Sequence, residues 1–236
     1  MLKWTPGSGK VFLRSDDHFE HRNICRYADR PWANWDKEDV EADERALKEM
    51  GEAFVTFHNE SVKPGDLVIF GGDVVMGDWR WALQRWVADM HGRKLLIIGN
   101  HDVMFKRTYS AFDFNRYQQV FTEGILTWLD MQTVLPFSHR RMIVNHFPYE
   151  AGTGPRKVKG PDRYAGWRPV REPGQWLLHG HTHDHRVLTG DHQIHIGIDA
   201  DYTPYGVKQY HPIPLDLIEA IIDENAIWIP ARRRTT

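Results

Sequence analysis

At 236 residues, with 41% hydrophobic and 26% charged residues, the chain has the makeup of an ordinary globular protein and is long enough to bury a core without staples. A formal net charge of -2 gives no general attraction to nucleic acid or to a membrane, and a lone cysteine, Cys25, excludes an intrachain disulfide. No apolar run reaches transmembrane length and the Met1–Gly7 start lacks a signal-peptide stretch, so the expected compartment is the reducing cytoplasm.

Taken in chain order, short β-branched runs each end in a chemically loaded turn. Val11–Arg14 runs into Ser15-Asp16-Asp17-His18, and Leu67–Phe70 into Gly71-Gly72-Asp73. Leu95–Ile98 leads to Gly99-Asn100-His101-Asp102, Met142–Val144 to Asn145-His146, and Trp176–Leu178 to His179-Gly180-His181-Thr182-His183. Nearly all-apolar runs of this length are expected of strands buried on both faces. Ligands of α/β proteins gather at the carboxyl ends of strands, so five strands ending in Asp, Asn or His point to one shared site.

Helical spacing separates the early strands. Leu47, Met50, Phe54 and Phe57 recur on one face between about Asp39 and His58, with Glu41–Arg45 and Glu44–Lys48 as i,i+4 pairs. A second helix is expected over Trp79–Met90, its tryptophans packing into the core. This alternation predicts right-handed crossovers and a largely parallel sheet. Beyond about Ile125 strands follow without long helices, which predicts a second, more antiparallel sheet, and a last helix is expected near Leu215–Ile222. The whole chain, 1–236, reads as one domain. Within it, Gly152–Gly174 holds five Gly, four Pro and six basic against two acidic residues, a net of +4, and reads as a long basic loop.

Fourteen histidines, four of them within His179–His185, direct attention to metal chemistry. A two-metal hydrolytic site needs hard oxygen ligands, imidazoles and one ligand shared by both ions. Asp73 suits the shared position, since a carboxylate has two oxygens and the preceding glycines let the backbone bend close to both ions. Asp16-x-His18 and His181-x-His183 each set two ligands on one side of an extended turn. Asn100 adds a carbonyl oxygen and His146 another imidazole. Mixed O and N ligands suit two divalent ions of Mn, Fe, Ni, Co or Zn.

In this order, Asp16-x-His18, Gly72-Asp73, Gly99-Asn100-His101-Asp102, His146 and Gly180-His181-x-His183 resemble the signature of calcineurin-like metallophosphoesterases. The stretch Ser15-Asp16-x-His18-Phe19-x-His21-x-Asn23-Ile24 is similar to a small bacterial and phage single-domain branch. The resemblance implies an α/β fold with mixed sheets in a four-layer αββα sandwich. It also implies one metal on Asp16, His18, Asp73 and His183 and a second on Asp73, Asn100, His146 and His181. His101 would protonate the leaving group, and Asp102 would orient it. The activity implied is metal-dependent hydrolysis of phosphate esters.

The chain departs from that family's phosphoprotein-phosphatase branch by lacking an arginine after the Gly-Asp turn, which favours phosphodiesters over phosphoproteins. A phosphomonoesterase acting on a small metabolite is the alternative. Arg163, Arg168 and Arg171, interleaved with Tyr164 and Trp167, are candidate substrate contacts suited to a nucleotide or nucleic acid. No protein partner and no membrane contact is expected. Asp17 reads as a spare turn carboxylate, His21 as a possible phosphate or metal contact, and His179, His185 and His195 as residues supporting the ligands. Two other classes compete with this one. His179–Asp184 echoes the His-x-His-x-Asp-His motif of metallo-β-lactamases, but with His183 where that motif has Asp and late in the chain. A catalytically silent scaffold of the same fold should have lost ligands that are all present here. Gly7-Ser8-Gly9-Lys10 fails as a P-loop, with Trp4 and Val11 at positions that need Gly and Ser or Thr.

Overall fold

The structure is a computed structural model that describes residues 9–36, 38–105, 124–136, 138–152 and 160–227. Among the described residues it is an α/β architecture of two five-stranded mixed sheets and four α-helices. Strands β1 (Val11–Arg14), β2 (Leu67–Phe70), β3 (Arg93–Ile97) and β4 (Thr127–Asp130) run parallel, and the short β10 (Ile213–Pro214) pairs antiparallel with β1. Arg14 pairs with Phe70 and Phe70 with Leu96, so β1, β2 and β3 end in line. The turns that follow them start level with one another.

The second sheet has the order β5-β6-β7-β9-β8, with β5 (Gln132–Val134), β6 (Met142–Asn145), β7 (Trp176–His179), β8 (Leu188–Gly190) and β9 (Gln193–His195). Its centre, β6-β7-β9, is parallel, and only the edge strands β5 and β8 are antiparallel. Two of its four pairings are antiparallel against one of four in the first sheet, so it is the more antiparallel of the two, as expected, although its centre is parallel. A parallel pair needs a long crossover, which is usually a helix. Here the connection from β6 to β7 includes the basic Gly152–Gly174 segment, whose sequence carries no helical periodicity.

Strand residues alternate between two cores. Phe12, Val68, Phe70, Leu96 and Ile98 face α2 (Val40–Ser61), where Met50 and Phe54 are fully buried. Leu13, Leu67, Ile69, Leu95 and Ile97 face the opposite way, against Met142, Val144, Leu178 and Ile194 of the second sheet. Ile218, Ile221 and Ile222 of α4 (Leu215–Ile227) join that inter-sheet core. The outer face of the second sheet carries only Ile143, Tyr149 and Leu177 as a cluster, and no helix of the described residues joins it. The observed layers are thus helix, sheet, sheet; the fourth layer is not found among the described residues.

Helix α2 starts where Asp39 accepts the Ala42 N–H at 2.8 Å, and Pro64 stands just beyond its end. The short α1 (Ile24–Tyr27) follows the first loaded turn. The expected second helix is α3 (Trp79–Ala82), which widens into a π-turn over Leu83–Val87, with the Ala88 N–H reaching Leu83 O at 2.9 Å. Trp86 is buried and stacks on Phe19, as core packing requires, whereas Trp81 stays 46% exposed. No helix among the described residues is long and apolar enough to cross a membrane.

Candidate metal centre

The loaded turns after β1, β2, β3, β6 and β7 meet at one edge of the two sheets. Backbone bonds lock the first two together: the N–H groups of Asp16 and His18 donate to Gly72 O and Asp73 O, both at 3.0 Å. A bridge from Ser15 to Gly197 ties this turn to the second sheet, where the Ile198 N–H donates to Ser15 O at 3.0 Å. Asp16, His18, Asp73, His181 and His183 all have left-handed backbone, with φ of 63°, 53°, 54°, 71° and 49°. Non-glycine residues hold such φ values where the surroundings over-determine them, a pattern concentrated at functional sites. Two glycines admit the carboxylates. A Cβ on Gly99 would lie 2.2 Å from Asp73 Oδ1, and one on Gly180 would lie 2.1 Å from Asp16 Oδ2.

Seven side chains expected as ligands come together here. Asp16, His18 and His183 form one group able to hold a metal ion, and Asp16, Asp73 and His146 form another. Asp73 Oδ2 lies 3.5 Å from His18 Nε2 and 3.3 Å from His146 Nε2, between the two imidazoles. Asn100 Oδ1 is 3.2 Å from the same His146 nitrogen. The His181 ring lies beside His146, centroids 5.2 Å apart, and the His181 backbone N–H donates to Asp16 Oδ1 and Oδ2 at 2.9 and 3.1 Å. Its ring nitrogens stand outside both groups.

The donor set fits divalent metal. His18 is buried and neither of its ring nitrogens has a hydrogen-bond partner. Buried polar atoms are ordinarily satisfied, so two orphans on one ring call for a partner that is not protein. Burial, outweighing the Asp73 carboxylate, holds the His18 imidazole well below its usual range, and so neutral and able to ligate. His146 is the complementary case. Its Nδ1 lies 2.9 Å from Gly71 O, so in the neutral ring the proton sits there and Nε2 turns a bare lone pair toward Asp73 and Asn100 oxygens. Three electron-rich atoms at that spacing need a proton or a cation among them. Burial works against protonation, yet the Asp73 charge lifts His146 to about 9, and the Asp73 carboxyl, despite burial, is held far below the usual carboxylate range by His146. Metal binding would displace that proton. His181, by contrast, is pushed down to about 2 by burial and by His146.

A second set of buried residues holds these ligands, and sequence patterns gave no sign of most of it. Asp199 Oδ2 is 2.7 Å from His183 Nδ1, and the fully buried Arg30 grips both Asp199 oxygens. Burial would raise the Asp199 carboxyl, but Arg30 holds it well below its ordinary range. Asp17 is no spare carboxylate: it pairs with Arg14 at zero exposure, and Arg14 Nη1 lies 3.0 Å from His58 Nδ1. Asp102 accepts the N–H groups of Gly99, Asp73 and Val74 at 2.8, 2.9 and 3.1 Å, so it stitches the turn after β3 to the turn after β2. Burial and the Asp73 charge push its carboxyl up, and those three donors oppose the shift. His185 faces Asp199 O at 2.9 Å, and His179 packs beside His195 behind the centre.

A cleft of about 360 Å³ opens over the ligands, lined by His18, Asp73, His101, His181 and His183 and by His21, Tyr27, Arg163 and Arg168. The His101 ring sits 5.3 Å from that of His18, and its backbone N–H donates to Asp73 Oδ1 at 2.7 Å. Of the three loop arginines, Arg163 lines the cleft with its guanidinium over Tyr164, and Arg168 lines it while bound to Asp162 and Pro148 O. Arg171 does not. It lies over Tyr149 and donates to Asp191 O at 2.8 Å, at a separate hollow, which removes it from the expected substrate contacts. Tyr164 stacks on Phe147 and edges onto His181, whereas Trp167 packs on Phe105.

No protein-family model matches the chain. The Gene 66 protein of Mycobacterium phage D29 is 28% identical over 221 residues, which cover 91% of this chain and 96% of the relative. The crystal structure of the protein of unknown function AQ665 from Aquifex aeolicus shares the fold, with a TM-score of 0.59 at 22% identity over 90% of this chain and 99% of that one. Yfce, a phosphoesterase from E. coli, aligns with 81% of this chain and 79% of its own at 14% identity, but the TM-score of 0.33 is too low for its activity to bear on this chain.

Proposed function

We propose that the chain is a dinuclear metal-dependent phosphoesterase of the calcineurin-like type that hydrolyses phosphodiesters. One observation carries this reading: a buried carboxylate oxygen, Asp73 Oδ2, stands within 3.5 Å of His18 and 3.3 Å of His146, where one group can serve two cations. Asp16, His18, Asp73 and His183 would hold one ion, and Asp73, Asn100, His146 and His181 the other. Two such ions, when bound, supply positive charge to the phosphoryl oxygens and a water acidic enough to ionise near neutral pH.

The remaining steps belong to side chains. His101 is exposed at the cleft and close to His18, the right side for delivering a proton to a departing alkoxide. Acid assistance of this kind is typically worth about 10²–10⁴ in rate. Arg163 offers a guanidinium to a phosphate flank, and Tyr27 offers a ring to a base, which supports a nucleotide or nucleic-acid ester as substrate. A dianionic monoester gains more from an additional cation at the metal centre than a monoanionic diester does. Since Val74-Val75-Met76-Gly77, directly after Asp73, holds no arginine, diesters are favoured.

The test is hydrolysis of bis- and mono-nitrophenyl phosphate by protein loaded with Mn²⁺ and by protein stripped with chelator. Loaded protein should cleave the diester with the higher kcat/KM, and stripped protein should be inactive. Full activity after exhaustive chelation would refute the metal mechanism, and a strong monoester preference would move the assignment to a phosphomonoesterase. A protein that holds two ions yet turns over neither ester would be the silent scaffold.

A further inference from the structure

Two of the imidazoles in this centre have their free nitrogen chosen for them by different means. For His146 the choice is made by a backbone carbonyl, Gly71 O, which no side-chain substitution removes. For His183 it is made by Asp199, whose Oδ2 lies 2.7 Å from Nδ1. An ionised carboxylate only accepts hydrogen bonds, so a neutral His183 facing it carries its proton on Nδ1. Nε2 then keeps its lone pair and points toward Asp16, 3.9 Å from Oδ1.

Arg30 couples this choice to the first turn. Its Nε and Nη2 donate to Asp199 Oδ1 and Oδ2 at 2.8 and 3.0 Å, while Nη2 and Nη1 also donate to Asp16 O at 2.7 Å and Asp17 O at 2.9 Å. Arg30 and Asp199 are buried to 1% exposure, and neither lines the cleft. One guanidinium therefore grips the left-handed turn that aims Asp16 and the carboxylate that aims His183. These are two of the three residues in the first metal-holding group. The second group shares only Asp16 with it, and nothing in the Arg30–Asp199 pair touches Asp73, Asn100 or His146.

Resting on the dinuclear reading, we infer that Arg30 and Asp199 are positioning residues that select the Nδ1–H tautomer of His183 and thereby set the affinity of the ion held by Asp16, His18 and His183, leaving the other ion position to its own supports. Outer partners of metal-bound histidines typically govern about 10–100-fold in metal affinity. The pair acts on one ion, so its loss should give a half-loaded protein rather than an empty one.

The experiment has two parts on the full chain. The first is equilibrium dialysis against Mn²⁺ with elemental analysis, comparing wild type with Asp199→Ala. Wild type should bind two ions per chain, and Asp199→Ala should lose affinity for one of them by about 10–100-fold while the other is held as before. The second is a ¹⁵N imidazole spectrum of the metal-free wild type at alkaline pH, assigned through His183→Gln. It should show His183 with its proton on Nδ1, and in Asp199→Ala the signal should move toward the Nε2–H form. A purely structural role would lower stability without moving this tautomer. If Asp199→Ala fails to fold, the wild-type spectrum still decides, because an Nε2–H tautomer there overturns the inference. Wild-type affinity for both ions in folded Asp199→Ala also overturns it. Fewer than two ions in the wild type would instead overturn the dinuclear reading, so the two failures are distinguishable.

Discussion

Replacing Asp73 by Asn changes almost no volume and removes one charge from the point where the two imidazoles meet. In the native chain Asp73 Oδ2 is 3.3 Å from His146 Nε2 and 3.5 Å from His18 Nε2, while Oδ1 accepts the His101 N–H. Two unit charges about 3.3 Å apart attract by about 5 kcal/mol at an effective dielectric constant near 20, before desolvation is set against it. If half of that survives for each ion, affinity falls by about 100-fold at each position, or ~2.7 kcal/mol apiece. Asp73→Asn should therefore lose both ions together in Mn²⁺ dialysis, whereas His146→Ala and His183→Ala should each lose one. The metal-free protein gives an independent readout. Burial alone would depress the His146 imidazole, and the Asp73 charge instead lifts it to about 9. Without that charge burial prevails, so His146 in the Asn variant should titrate below its ordinary 6.5 by NMR. Retention of two ions at wild-type affinity, or an unmoved His146 titration, would refute the shared position of Asp73.

His101→Ala should keep both ions and lose about 10²-fold or more in kcat on esters with poor leaving groups, with a smaller loss on nitrophenyl esters that need no proton; equal losses on both would argue against an acid role. Arg163→Ala should raise KM for a dinucleotide but not for bis-nitrophenyl phosphate, and Arg171→Ala, remote from the cleft, should change neither. His58 is buried, and burial together with Arg14 pushes its imidazole from 6.5 down to about 3. The unfolded chain then binds a proton that the fold refuses. Stability is full above pH 6.5 and falls by about 1.4 kcal/mol per unit as pH drops toward 3, or about 2 kcal/mol at pH 5. Between pH 7.5 and 5, urea denaturation of metal-free protein should show wild type losing about 2 kcal/mol more than His58→Gln; identical pH dependence in the two would refute it.

What sequence revealed and what it hid divide along a physical line. Strands β1, β2, β3, β6 and β7 were legible because apolar runs bounded by glycine and polar turns have one economical solution, burial on both faces with the turn at the edge. The candidate ligands could be picked out for the same reason, each being local to its turn. Arg30 and Asp199 were not, since 169 residues separate them and no periodicity links a buried ion pair across a fold. Arg14 offered a faint signal, a cation inside an otherwise apolar strand, which in retrospect demanded a buried acid such as Asp17. Arg171 was misplaced because charge in a loop says nothing of direction. Asp162 and Pro148 turn Arg168 toward the cleft, whereas Asp191 and Tyr149 hold Arg171 elsewhere. The stretch 153–159 of the basic loop lies outside the described residues.

The clasp between Asp16 and the His181 N–H spans 165 residues of chain, and the Ser15–Gly197 bridge spans still more. A ribosome releases a chain from its first residue onward, and pairings between distant segments form late. Asp16 thus waits for 165 further residues to be made before the turn that completes its surroundings exists. No partial product ending before residue 183 carries all seven candidate ligands, so a growing chain can complete at most one of the two proposed ion positions. On the dinuclear reading, pairing of the two ions then belongs to the finished protein alone.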